Sequence, residues 1–415
     1  MTATALAPFR HRGYRRVWLG AFLSNIGTWM ETVGVGVYVE QATGKAAWVG
    51  LVAAAGFAPN ALIGPIGGAL ADRLPRKALL IGTNSVAALL AALLTGIVAT
   101  GHASPPLVAT IVFLSGCVGS IGFPAYMAIL PELVPRDDLP SALALSSAQW
   151  NLGRIIGPVL AGVAIGVGGF EWAFGINAVS FAAPVVALLP LVIPSPQPQH
   201  APTLFHSIAE GIRFVKREPG IRAMVGYFAV NSFLAAPFIA LVPSVAAMLD
   251  HPHASRATAI LVTAQGTGAV LMALSLGAMV QRFGVRTTLR IVLLALPPAL
   301  ALYAISPGVA AAAAAILLVG AAYLGALSTF NTIAQLRTPS SLRGRVLSVN
   351  LLMLGLLYPV GSIVQGKLSD VIGLRATVLA AAALMAVTLV VGRILSPRFA
   401  AALEHPPAHD SEEGA

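Results

Sequence analysis

Charge is scarce in this chain: Asp, Glu, Lys and Arg together make up 10% of its 415 residues, against 57% hydrophobic ones. Soluble domains carry about a quarter charged residues, so the composition excludes a water-soluble enzyme and a disordered protein alike. Cysteine is almost missing. The single Cys117 lies inside an apolar run, which excludes an intramolecular disulfide and a disulfide-stapled secreted scaffold. A Gly-x-x-x-x-Gly-Lys-Ser/Thr loop is also lacking, and with it ATP binding in a P-loop; no His-Glu-x-x-His or Cys/His spacing suggests a metal. No cofactor is expected. What is abundant is long apolar runs, with a mean hydropathy of +0.85.

Twelve such runs are legible, near 17–40, 47–71, 78–100, 106–130, 142–168, 172–194, 221–249, 257–280, 287–305, 308–334, 346–367 and 374–395. Crossing the hydrocarbon core takes about 20 apolar residues, so each is long enough to span a bilayer. The net charge of +10 does not indicate nucleic acid, because the basic residues are scattered between the runs without a patch. They report topology instead. With the N-terminus inside, the inner connections hold twenty Lys and Arg and the outer ones four. That bias predicts a multi-pass protein of the inner (plasma) membrane with both termini cytoplasmic.

The expected architecture is an all-α membrane protein of twelve helices in two pseudo-symmetric six-helix bundles, 1–194 and 221–396. Between them, the connection 195–220 opens Pro-rich and continues with Leu204, Ile208, Ile212 and Val215 at helical spacing, which predicts an amphipathic helix at the cytoplasmic interface. The tail 397–415 is polar and is expected to be disordered.

The halves share features. Gly68, Asp72, Arg73, Arg76 and Lys77 in the second inner connection have counterparts 209 residues on at Gly277 and Arg282, and Pro135 and Leu139 recur at Pro339 and Leu342. Parallel repeats of this kind characterise secondary transporters, with a substrate site between the halves. The stretch Gly68 to Lys77 resembles the loop signature of the major facilitator superfamily. Ser24-Asn25-Ile26-Gly27, Pro131 to Arg136 and Asn151 to Pro158 are similar to its branch of enterobactin and macrolide exporters. The resemblance implies alternating access and efflux driven by proton entry. The fourth run lacks the Arg that many drug antiporters carry there, and Gln281 stands where the second-half signature has an acid.

Glu31 is the one acid placed well inside an apolar run, where a carboxylate must be protonated, paired or hydrated, so it is the candidate proton carrier; the alternative is a hydrogen bond to a neighbouring helix. Arg154 lies near the middle of the fifth run and needs a carboxylate, carbonyls or an anion. An inter-helix clamp, a substrate or coupling contact, and snorkelling all stay open for it, and Glu31 is its natural buried partner. Asn25, Thr28, Tyr126, Asn151 and Phe233 are candidates for the cavity lining. Gly153, Gly157, Pro158 and Gly162 permit close packing and bending of the fifth helix. Asp72 and Arg73 are expected to latch the cytoplasmic side, with Arg73 meeting Glu132 or Asp137, and Arg76, Lys77 and Arg282 beside them.

These readings favour a monomeric, proton-coupled exporter of small amphipathic molecules, of drug or siderophore type, whose partners are lipid, substrate and protons. An importer or facilitator of a hydrophilic solute is the alternative. A membrane enzyme or receptor on this fold lacks a nucleophile, base or metal cluster.

Overall fold

The computed structural model describes residues 5–194, 204–339 and 342–395, so the Pro-rich start of the linker and the tail from 397 lie outside the described residues. All described regular structure is helical: α1 (Arg12–Thr43), α2 (Ala46–Phe57), α3 (Pro59–Leu62), α4 (Gly64–Arg73), α5 (Arg76–Ala99), α6 (Pro105–Leu133), α7 (Leu139–Gly168), α8 (Phe170–Ser180) and α9 (Ala182–Leu188). There follow α10 (Leu204–Arg217), α11 (Pro219–Val230), α12 (Phe238–Leu249), α13 (Ala254–Ile305), α14 (Val309–Arg337), α15 (Arg343–Ile372) and α16 (Leu374–Leu395).

Among the described residues, nine helical stretches are long and apolar enough to cross a membrane, ten when the bent pair Ala46–Leu62 and Gly64–Arg73 is one crossing. The 46° bend of that pair falls between Pro59 and Pro65, whose rings remove helical hydrogen bonds. α1 is not among the nine, and Ser24, Asn25, Thr28 and Glu31 stand in its middle. α13 runs for 52 residues, about 78 Å if straight, more than twice the hydrocarbon thickness. It is two helices, 254–283 and 285–305, that meet at Gly284, where φ is 78°. The eighth and ninth runs are therefore joined without a loop; glycine alone takes this backbone conformation without strain.

The buried apolar residues divide along the chain. One cluster joins α10 to α16, with Phe238, Tyr303 and Phe330 at its centre, and three smaller ones belong to α1, α2 and α4–α9. α10 packs on the second half. It lies against the start of α15, where Gly211 faces the Arg345 carbonyl oxygen, Glu210 pairs with Arg345 at 2.5 Å, and Val215 is buried in the second-half core.

Candidate functional site

The middle of the molecule is built around α1 and α7. Two glycines of α7 seat α1 directly: a Cβ on Gly157 would stand 2.5 Å from that of Trp29, and one on Gly153 would overlap the Asn25 amide. Further on, a Cβ on Gly162 would lie 3.0 Å from Ala259 of α13, and Pro158 is buried between these contacts. Small residues thus bring three helices to close range, as the sequence spacing suggests.

The polar candidates are used mostly within the helix framework. Asn25 Nδ2 donates to the carbonyls of Gln149 (3.1 Å) and Trp150 (3.4 Å), tying α1 to α7. The Thr28 hydroxyl donates to Ser24 O and the Asn151 amide to Ser147 O, each in its own helix. Tyr126 of α6 donates to Gln149 Oε1 at 3.1 Å, with Ser146 Oγ 3.3 Å away. Phe233 sits in the π-helical turn Asn231–Ala235, and its carbonyl accepts from Gln365 Nε2 at 3.1 Å.

Glu31 and Arg154 do not form the expected pair. Glu31 accepts from Asn177 Nδ2 of α8 at 2.6 Å, at a junction where Gly27 of α1 lets Asn177 and Ser180 approach the backbone. Arg154 instead lies with its guanidinium carbon 5.6 Å from the centre of the Trp29 ring. The helical period explains the separation: Trp29 and Glu31, two residues apart, project about 200° apart around α1.

The two ends of the molecule contrast. At the end carrying the α1–α2 turn, first-half and second-half residues are in contact. Asp370, near the C-terminus of α15, accepts from the Ala46 and Ala47 amides at 2.8 and 3.2 Å, capping α2. Glu40 of α1 accepts from Ser244 Oγ of α12 at 2.6 Å. A row of glycines brings α2 and α3 onto α15: Gly50 faces the Ser362 carbonyl, a Cβ on Gly355 would stand 2.5 Å from that of Ala61, and one on Gly366 would stand 2.6 Å from Ala46 O. A pocket of about 390 Å³ opens above this seam, lined by Glu40, Gln41, Ser244, His251 and Asp370.

At the opposite end such contacts are absent among the described residues of the signature loop. Asp72 and Arg73 are exposed without a side-chain partner, and no atom approaches the Cβ position of Gly68. Arg76, not Arg73, pairs with Glu132, because Arg76 begins α5, which packs along α6, whereas Arg73 ends α4 pointing outward. Lys77 Nζ donates to the carbonyls of Leu189 and Leu191, both at 2.8 Å. Arg282 rests on its neighbour Phe283. Glu40, Asp370, Ser244 and the glycines of α2 and α15 are the residues that sequence reasoning passed over. The acids lie near helix ends, and their partners are more than 200 residues away.

A helical membrane chain with small-residue seams, a polar centre and one sealed end is of the transporter class. Its fold matches a variant of the nucleoside transporter NupG (TM-score 0.76, 15% identity, covering 94% of this chain and 99% of that one). It also matches a bacterial homologue of the lysosomal transporter Spinster in an inward-facing, occupied conformation (TM-score 0.74, 15% identity, 96% and 97%). Residues 3–412 match the transmembrane secretion effector family, and the chain belongs to this family of the major facilitator superfamily. Relatives include the enterobactin exporter EntS of Escherichia coli O6:K15:H31 (strain 536 / UPEC), 30% identical over 353 residues, 81% of this chain and 80% of that protein. The same exporter of Escherichia coli O1:K1 / APEC is 29% identical over the same shares. The protein is a membrane transporter and not an enzyme.

Proposed function

We propose that the chain is a proton-coupled exporter of small amphipathic molecules, of siderophore or drug type, working by alternating access in the inner membrane as a monomer. In this reading it crosses twelve times: α1 and the two parts of α13 count as separate spans, and the halves 1–194 and 221–396 form two bundles joined by 195–220. The excess of basic residues in the connections at the α4–α5 end supports a cytoplasmic placement of that end and of both termini. The observation that carries the reading is the contrast between the ends: α2 and α15 are in backbone contact at one, while the signature loop at the other is unengaged. A secondary transporter resting open to the cytoplasm has this form. Similarity to enterobactin exporters supports efflux over uptake. Reconstitution into liposomes tests it: substrate added to the protein under an imposed proton gradient is expected to collapse that gradient, read by a pH-sensitive dye. Substrate movement that leaves proton flux unchanged would leave a facilitator.

Asp72 stands near the end of α4 as Asp370 does near the end of α15, and the start of α15 at Arg343 carries no side-chain cap. Asp72 is the group to cap it when the cytoplasmic side closes. A carboxylate at a helix N-terminus contributes about 0.3–1 kcal/mol. Asp72→Asn, and Arg73→Ala beside it, are expected to insert and fold normally but to slow transport severalfold by depopulating the closed cytoplasmic state. Wild-type turnover of both variants at equal expression would reduce them to topology signals.

A further inference from the structure

Arg154 is the one arginine near the middle of an otherwise apolar helix, and the structure leaves it without a carboxylate. Among the described residues it has no ion pair, and its Nε is buried with no hydrogen-bond partner. The Arg154 side chain is half-buried, and a guanidinium has donors but no acceptor; leaving the buried Nε unpaired costs about 1–3 kcal/mol. The second donor beside it is in the same condition: the Trp29 indole Nε1, from the ring over which Arg154 lies, is also buried and unpartnered.

The surroundings place these donors between the halves. Trp29 comes from α1 and Arg154 from α7, and α13 packs on the same stretch, where a Cβ on Gly266 would stand 3.1 Å from Ile155. Tyr323 of α14 and Tyr358 of α15, from the second half, stand near Arg154. All four side chains fall near the middles of their helices. Glu31, the acid that would neutralise Arg154, is committed to Asn177 on the α8 side of α1. The inter-helix clamp therefore lacks its acidic partner, and snorkelling does not fit a guanidinium held against an indole between packed helices. Flat apolar walls stand close by: Trp29 meets Trp150 edge-on with centroids 5.9 Å apart, and Phe57 meets Tyr358 at 5.0 Å.

We infer that Arg154 and Trp29 form the recognition centre for an organic anion, so that the transported molecule is a planar apolar body bearing a carboxylate-like group. The anion accepts from the guanidinium and the indole N–H, and the ring lies among the aromatic walls. This rests on the transport reading above and narrows its substrate class. A cationic amphiphile brings no acceptor to these donors and is repelled by the guanidinium, while a neutral carbonyl meets them without the charge that makes such bonds strong.

The test uses the full chain in phosphatidylcholine nanodiscs and three probes of one ring system: 2-naphthoate, 2-naphthamide and 2-naphthylmethylammonium, titrated by calorimetry. Naphthoate is expected to bind about tenfold or more tighter than the other two, the scale of one charged hydrogen bond. Arg154→Gln is expected to remove that preference by bringing naphthoate down to the level of naphthamide, Arg154→Lys to keep part of it, and Trp29→Phe to narrow it. Thermal unfolding of each variant reports whether it is folded. Should Arg154→Gln unfold, Trp29→Phe together with the wild-type probe series decides the matter. Equal binding of the three probes, or a carboxylate preference that survives in folded Arg154→Gln, overturns the inference. Arg154-dependent naphthoate binding without movement into proteoliposomes would instead overturn the transport reading and leave the anion site standing.

Discussion

Glu31→Gln protein is expected to bind substrate and equilibrate it across the membrane, but to lose all proton-driven accumulation. The substitution suits the site. The carbonyl of the new amide would still accept from Asn177 Nδ2, the bond that Glu31 accepts at 2.6 Å, so the α1–α8 junction survives while the titratable group is gone. Glu31→Ala removes that bond as well and leaves a buried Asn177 amide unsatisfied, at about 1–3 kcal/mol. Comparing the two separates coupling from architecture. If Glu31 carries the proton, both variants lose coupled transport, and only the alanine variant also loses thermal stability. If Glu31 is a structural bracket, Glu31→Gln retains proton flux measured by pH-dye quenching, and the coupling passes to another acid or to the substrate's own proton.

A still larger effect is expected at the seam between α2 and α15. Gly50→Leu pushes a side chain into the Ser362 carbonyl, where even a Cβ has no room. Overpacking of this kind costs about 1–3 kcal/mol, equivalent to roughly tenfold or more in the population of the sealed state. Transport is expected to fall to background because the seal between α2 and α15 no longer forms. Having a single cysteine makes this measurable: in a Cys117→Ser background, Ser362→Cys places an isosteric thiol at a position fully buried in the seam. A membrane-impermeant maleimide added from outside is expected to label that thiol about tenfold faster when Gly50→Leu is also present. Unchanged labelling together with normal turnover would mean that this seam is not the seal.

Much of this was legible from sequence, for identifiable reasons. Apolar runs report crossings because the bilayer demands them, and Gly153 and Gly157 of α7 report close packing because they stand one helical turn apart. Arg154 was legible as an anomaly for the same reason: an arginine amid apolar residues needs a partner. Which partner it has was not legible. Helical periodicity places Trp29 and Glu31 on different sides of α1, but not which side meets α7 and which meets α8. The sealed end was also hidden, since Asp370 finds its partner in two backbone amides that carry no residue identity, and Ser244 looks like any other serine in an apolar helix. That Glu132 meets Arg76 and not Arg73 was equally out of reach, because the turn between α4 and α5 sets which of the two points along α6.

The glycines of α2 and α15 that bring α2 and α3 onto α15 have a mechanical consequence. Two helices that meet through large side chains are interlocked, and parting them requires each knob to leave its hole and find a new rotamer. Here the facing surfaces at Gly50, Gly355 and Gly366 are nearly bare backbone, whose carbonyls already serve their own helices. Parting them at these glycines strands no donor; apart from the Phe57–Tyr358 ring contact, what is lost is a sheet of weak dispersion contacts, each about 0.1–0.2 kcal/mol. Such a joint is dry and tight when closed, yet it has little friction, so the energy of opening is concentrated in the two carboxylates, Glu40 and Asp370, that fasten its rim.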